Sequence, residues 1–134
     1  MQSEQAPASY RSWKQGELVE AEMNTIAEGV ATRSGYELPQ KIMKELLKDF
    51  LLGSDSDIQR AIGTLVDKAH TLAEGAGATA LAGAIKHPSK VKGKKVAITI
   101  SGGTLLLTSS DGHWRYTRNK GMNRRQAITL MFSI

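Results

Sequence analysis

Small residues between positions 72 and 103 are the part of this sequence best suited to bind an anionic ligand. Gly75 and Gly77 precede a run of small apolar residues that predicts a helix. The free N–H groups at a helix start attract a phosphate or carboxylate, and glycine lets a ligand or another backbone come close. A serine and two glycines, residues 101–103, follow a predicted strand, where open α/β sheets bind ligands. A glycine pair after a strand is also typical of a plain tight turn, so both interpretations stay open.

The elements around these glycines are predicted to be buried. Residues 78–85 are apolar on nearly every side, and their side chains are small enough for a helix to lie close against a sheet. Val96, Ile98 and Ile100 alternate with small or weakly polar residues, which is typical of a parallel strand covered on both faces. We therefore expect all three to be buried, with the helix packed on the strand.

Helix boundaries are marked elsewhere in the chain. Gly16 is placed to end a helix, and Pro39 to begin an amphipathic one. Ser54 is a good N-cap, and Asp57 three residues later suits the positive end of a helix about five turns long. His70 lies at the end of this helix, where a capping or solvated histidine is expected rather than a catalytic one.

Several linked motifs resemble the C-terminal part of a known family, the pyridoxal-phosphate enzymes of the threonine dehydratase and serine racemase group. These enzymes have the tryptophan-synthase-β fold, also called fold type II. The motifs are residues 2–13, the Thr-Ile-Ala-Glu-Gly loop at 25–29, and residues 45–50, 74–78, 93–96 and 100–103. The likeness covers about residues 2–103, which corresponds to roughly the last third of the family's members.

The resemblance implies an α/β fold: an incomplete three-layer parallel sheet with flanking helices, a remnant of the fold type II domain. We expect residues 1–103 to form this partial pyridoxal-phosphate enzyme domain and residues 104–134 to be an unrelated tail. The family continues Ser-Gly-Gly-Asn and then a final helix, whereas this chain continues with Thr104 and three leucines. The tail is basic, because it carries five Lys or Arg against one Asp and so supplies most of the net charge of +5.

For the site, the resemblance implies roles for five residues. Ser101 would hydrogen-bond the pyridine nitrogen of pyridoxal phosphate, and Gly102, Glu74 and Gly29 would line the cofactor. Glu28, together with Gly29, would border the substrate. A hydroxyl partner leaves the pyridine nitrogen largely unprotonated, whereas a carboxylate would favour the pyridinium form. From the residues alone, Glu28 and Gly29 are as well explained by a surface turn.

No catalytic residue and no metal site can be assigned. In the family, the Schiff-base lysine stands in a Ser-(Phe/Tyr)-Lys-x-Arg motif, and a tetraglycine loop holds the cofactor phosphate. Neither motif occurs in this sequence. The acidic ligands of the family's divalent-metal site would fall on Gln2 and Ala8, which cannot serve. We therefore expect that this chain alone does not bind pyridoxal phosphate covalently.

Two functions stay open. One is a C-terminal fragment of a pyridoxal-phosphate-dependent threonine/serine dehydratase, an ammonia-lyase that is inactive alone. The other is a stand-alone interaction or small-ligand-binding protein that uses the remnant fold.

We expect a homo-oligomer, or a partner chain that covers an open sheet edge. We expect no nucleic-acid partner, because the basic residues are a property of the tail, and no membrane partner, because no apolar run is long enough to cross a bilayer. With no cysteine and no signal pattern, we expect a cytoplasmic protein.

Overall fold

The structure of the 134-residue chain is a computed structural model. It describes residues 1–102 in full and, beyond them, only the backbone of three strands. In chain order the elements are β1 (Gln2–Ser3), α1 (Ala8–Gln15), a turn of 3-10 helix (Glu28–Val30), α2 (Glu37–Leu46), β2 (Leu52–Gly53), α3 (Asp55–Ala69), α4 (Gly75–Lys86), α5 (Pro88–Val91), β3 (Lys95–Ile100), β4 (Leu106–Ser109), β5 (Trp114–Thr117) and β6 (Ile128–Ser133). No helix in the described part of the chain is long and apolar enough to cross a membrane.

The parallel sheet is smaller than expected. It consists of β1 and β2, which pair in parallel over two residues each. β3 has no parallel neighbour among the described residues and pairs with β6 in antiparallel register along its full length. β4 and β5 form a separate antiparallel pair. The chain is therefore α/β with a small parallel sheet and helices. The resemblance implies an incomplete three-layer parallel sheet, and among the strands of the described residues only β1 and β2 pair in parallel.

The strand β3 is covered on one face only. Ile98 and Ile100 are buried in the same apolar core as Leu81 of α4, as predicted, while Val96 is only partly buried. The residues between them, Ala97 and Thr99, are exposed. The expectation of a strand covered on both faces is therefore wrong for the described chain. Small side chains at alternate positions fit an uncovered face as well as a covered one.

Local capping determines the start of α3 as the sequence predicts, while its 15 residues, Asp55–Ala69, make about four turns and not the five expected. The backbone N–H of Asp57 donates to Ser54 Oγ at 3.2 Å, and the backbone N–H of Ser54 donates to Asp57 Oδ2 at 3.0 Å, which completes a reciprocal capping box. His70 ends the helix in the left-handed conformation, with φ of 48°. His70 is the C-cap residue and is exposed, in agreement with the expectation of a capping or solvated histidine.

The helix α2 begins two residues earlier than its proline indicates. Its first residue is Glu37, which places Pro39 third in the helix. The N–H groups of a first helical turn have no acceptor within the helix, so a proline in this turn costs no hydrogen bond. Unlike α3, this helix contains no buried residue.

Candidate functional site

The start of α4 and the end of β3 meet at the predicted site. Gly77 lies directly against the backbone of Ser101, so that a Cβ at Gly77 would collide with the Ser101 carbonyl oxygen. The backbone N–H of Glu74 donates to the carbonyl oxygen of Gly102 at 2.8 Å. The backbone of Ser101 therefore makes the close approach that glycine permits at position 77. Gly103, which the sequence also placed here, lies outside the described residues.

The side chain of Glu74 lies against two glycines. Gly102 has φ of +70°, and a side chain there would collide with the Glu74 carboxyl group. Gly29 also lies beside it, since a Cβ at Gly29 would be 3.5 Å from Glu74 Oε1 and 2.8 Å from the Cβ of Ala76. The structure therefore brings Glu74, Gly29 and Gly102 together next to Ser101, although these residues come from three separate parts of the chain.

Ser101 and Glu28 are the exposed polar members of this group. Ser101 follows the last residue of β3, at its carboxyl end, and is accessible to solvent. Glu28 begins the turn of 3-10 helix and is also exposed, directly before Gly29. Both side chains can therefore be reached by a ligand from solution.

The loop that carries Glu28 and Gly29, residues 25–30, is held by two residues that sequence reasoning did not assign to the site. Asp55 accepts hydrogen bonds from the Thr25 hydroxyl and from the Ile26 N–H. The Gln2 side chain donates to the carbonyl oxygen of Val30 at 3.2 Å. The contacts of Asp55 join residues about thirty positions apart, so no local pattern could have indicated them.

Gln2 occupies the position where the resemblance would place a metal ligand. It is buried, and both ends of its amide are used: Oε1 accepts from the backbone N–H of Tyr10 at 2.8 Å, while Nε2 donates to Val30. Ala8, the other such position, is fully buried. Among residues 1–102, no three His, Asp or Glu side chains form a group that could hold a metal ion.

Every lysine among residues 1–102 is exposed, so none lies in an apolar pocket. Lys86 is the one with the most acidic contacts, at 2.7 Å from Glu4 Oε1 and 2.9 Å from Asp57 Oδ2. Hydrogen bonds to Glu4 and then to Asp57 raise the pKa of Lys86. A lysine that attacks a carbonyl carbon must be neutral, so this shift has the wrong direction for a nucleophile.

The sequence of the described part of the chain is similar to those of known enzymes. Residues 1–102 match the model of a family described as "Pyridoxal-phosphate dependent enzyme". The L-threonine ammonia-lyase of Thermotoga maritima is 35% identical over 112 residues, which cover 83% of this chain and 28% of that protein. The catabolic L-threonine dehydratase TdcB of Staphylococcus aureus is 33% identical over 94 residues, or 68% of this chain and 27% of that protein.

A solved structure of a related enzyme has a similar fold over the aligned residues. The serine racemase from Dictyostelium discoideum aligns with a TM-score of 0.67 and 34% identity, over 76% of this chain and 33% of that chain. The chain spans less than a third of the length of the two curated relatives, and the aligned part is a third of the solved structure.

Proposed function

Because the chain belongs to the family of pyridoxal-phosphate dependent enzymes, we propose that residues 1–102 form one wall of the cofactor and substrate pocket of a threonine/serine dehydratase. Such an enzyme eliminates water from threonine or serine and releases ammonia. The observation that carries this proposal is the meeting of Glu74, Gly29 and Gly102 beside Ser101. The chain alone is not catalytic in this proposal, because residues 1–102 offer no suitably placed lysine.

The residues present fit the pyridine end of pyridoxal phosphate. The Ser101 hydroxyl, exposed at the carboxyl end of β3, can donate a hydrogen bond to the pyridine nitrogen, and Glu74, Gly29 and Gly102 would lie along the ring. A hydroxyl adds no negative charge, so it does not raise the pKa of that nitrogen as a carboxylate would. When bound, the cofactor supplies the electron sink for bond breaking at the amino acid's α-carbon. The phosphate end has no tetraglycine loop in this sequence to hold it.

The turn at Glu28 and Gly29 would border the amino-acid substrate. Both residues are exposed, so a substrate has access to them. A carboxylate at this position suits the substrate's ammonium group, since charge-assisted hydrogen bonds are stronger than neutral ones. The fixed position of the turn on α4, through Gly29 and Ala76, would then orient the substrate relative to Ser101.

The remaining walls of the pocket would come from polypeptide other than residues 1–102. Two surfaces among the described residues are available for it. One is the exposed face of β3 at Ala97 and Thr99, and the other is the apolar face of α2 formed by Leu38, Ile42 and Leu46. Strands with an open face or edge tend to pair or pack with whatever chain is available. A second copy of the chain, or a partner that carries the rest of the domain, would meet this need.

A chimaeric enzyme tests the proposed function. Residues 1–102 replace the aligned segment of the Thermotoga maritima ammonia-lyase, and ammonia release from L-threonine is measured. We expect an active chimaera in which Ser101→Ala lowers kcat/KM by about a hundredfold, because one hydrogen bond to the reacting system is lost. Ser56→Ala, the same change at an exposed serine of α3, should leave kcat/KM nearly unchanged.

Two results would contradict this function. One is a folded chimaera that binds pyridoxal phosphate and releases no ammonia. The other is a Ser101→Ala chimaera as active as its parent.

A further inference from the structure

Asp55, the first residue of α3, is hydrogen-bonded to three groups from two other segments. Its Oδ1 accepts from Ser3 Oγ of β1 at 3.0 Å and from the Thr25 hydroxyl, and its Oδ2 accepts from the backbone N–H of Ile26 at 2.9 Å. Ser3 is fully buried, so this carboxylate connects the interior of the small sheet with the start of the 25–30 loop. A helix start also favours a negative charge, which makes the position suitable for a carboxylate.

The contact made by Asp55 continues along the loop. Thr25 Oγ1 accepts from the backbone N–H of Ala27 at 3.2 Å, and the Ala27 carbonyl oxygen accepts from the backbone N–H of Val30 at 3.0 Å. Ala27 is completely buried. Gly75 lies directly beneath, because a Cβ there would be 2.8 Å from the carbonyl oxygen of Ile26. Hydrogen bonds therefore connect Asp55 to Thr25, Thr25 to Ala27, and Ala27 to Val30 at the end of the turn.

A different side chain, Gln2, holds the other end of the loop. Gln2 donates to the Val30 carbonyl oxygen and accepts from the Tyr10 N–H, which fixes the side chain of Gln2 between the loop and α1. Residues 25–30 therefore have one fixed point at each end, and Glu28 and Gly29 lie between them. Of the two, only Asp55 uses a charged group, and hydrogen bonds to a carboxylate are stronger than those to an amide.

We propose that Asp55 is a positioning residue of this site, which holds the 25–30 loop so that Gly29 rests on Ala76 and beside Glu74. Its meaning for substrate binding rests on the proposed function. The ordering of the loop is a property of this chain alone and can be measured without cofactor or substrate. In this proposal Asp55 contacts neither the cofactor nor the substrate, and it acts only by holding the 25–30 loop.

Amide hydrogen exchange in the full chain, followed by NMR, tests this role. Asp55→Ala should speed exchange at Ile26 and Ala27 by at least about tenfold relative to Leu81 in α4, because a charge-assisted anchor is lost locally. Asp57→Ala is the matched control, because it removes a carboxylate from the same helical turn. The Asp57 carboxylate accepts from the Ser54 backbone N–H and pairs with Lys86, and it makes no contact with the loop among the hydrogen bonds described above. The control should lower stability without a selective effect on the loop.

A second pair of variants keeps the test decisive if Asp55→Ala fails to fold. Thr25→Val removes the loop's hydroxyl and should also speed exchange at Ile26 and Ala27 selectively. Thr64→Val is its control, because the Thr64 hydroxyl bonds only the Arg60 carbonyl oxygen within α3. The proposal is overturned if the exchange rates of Ile26 and Ala27 stay unchanged in Asp55→Ala or in Thr25→Val. It is also overturned if these rates rise no more than the rate at Leu81.

The chimaeric enzyme separates this role from the proposed function. There, Asp55→Ala should raise KM for L-threonine several-fold more than it lowers kcat, since the loop borders the substrate and not the bond that breaks. A selective loosening of the loop in a chimaera that shows no ammonia release would refute the proposed function and leave the positioning role standing. A kcat loss with KM unchanged would refute the positioning role for substrate.

Discussion

The helices α2 and α3 have similar amphipathic sequences and opposite surroundings. In α3, Ile58 and Leu65 are 0% and 1% exposed, because this helix packs on α4 and the core that includes β3. In α2, the corresponding apolar stripe of Leu38, Ile42 and Leu46 is largely exposed, with Leu46 at 74%. A helical period in the sequence therefore predicts which face is apolar, while the rest of the fold decides whether that face is covered.

The difference divides the described chain into two regions. The region of α3, α4 and β3 contains most of the buried core and holds the candidate site. The region of α1 and α2 packs on itself and leaves an apolar face without a cover among residues 1–102. We propose that this face, like the open face of β3, is where the rest of a family domain or a second copy would pack.

The largest predicted effect compares one leucine in each region. Leu65→Ala should lower the free energy of unfolding by about 2–5 kcal/mol, because it leaves a cavity in the core. Leu46→Ala makes the same chemical change at an exposed position and should alter it by less than about 0.5 kcal/mol. Urea denaturation of both variants measures the two values. Equal losses in the two variants would show that α2 is covered in solution, for example by self-association.

The second prediction compares two helical glycines. Gly77→Ala should destabilise the protein by about 1–3 kcal/mol, because the new methyl group is forced against the Ser101 carbonyl oxygen. Gly63→Ala in α3 meets nothing within 4 Å and should stabilise by about 0.5–1 kcal/mol through helix propensity. Thermal and urea unfolding give the two signs. A neutral Gly77→Ala would mean that α4 and β3 lie further apart than described.

A third, smaller effect depends on pH. Hydrogen bonds to Lys86 and then to Ser54 lower the pKa of Asp57 to about 2. A folded-state pKa below the unfolded value adds stability that is fully present above pH 4 and is lost as the pH falls toward 2. Between pH 6 and pH 3, the wild type should therefore lose more stability than Asp57→Asn, as measured by urea unfolding. Parallel curves for the two proteins would show that the hydrogen bonds from Lys86 and Ser54 do not stabilise the Asp57 carboxylate in solution.

The elements with strong local signals were predictable from sequence. Ser54 and Asp57 determine the start of α3, and His70 lies at its end. The alternation of residues in β3 predicts that Ile98 and Ile100 are buried, as they are. These features depend on residues within a few positions of one another. The resemblance to the pyridoxal-phosphate enzymes is confirmed by the family match over residues 1–102.

Features that depend on distant parts of the chain were not predictable. The single covered face of β3 is decided by which elements are available to pack on it, and its alternating residues fit either outcome. The role of Asp55 depends on Ser3 and Thr25, which lie 52 and 30 positions away. For the site itself, the resemblance named Glu74, Gly29 and Ser101, but only the fold shows that they meet.

The central proposal is that residues 1–102 form one wall of a pyridoxal-phosphate pocket and contain no lysine placed to bond to the cofactor. The most direct measurement incubates the purified full chain with pyridoxal phosphate, reduces it with borohydride and maps the label by mass spectrometry. We predict that any label is sub-stoichiometric and spread over several lysines, because every lysine among residues 1–102 is exposed. Stoichiometric labelling of a single lysine would contradict the account.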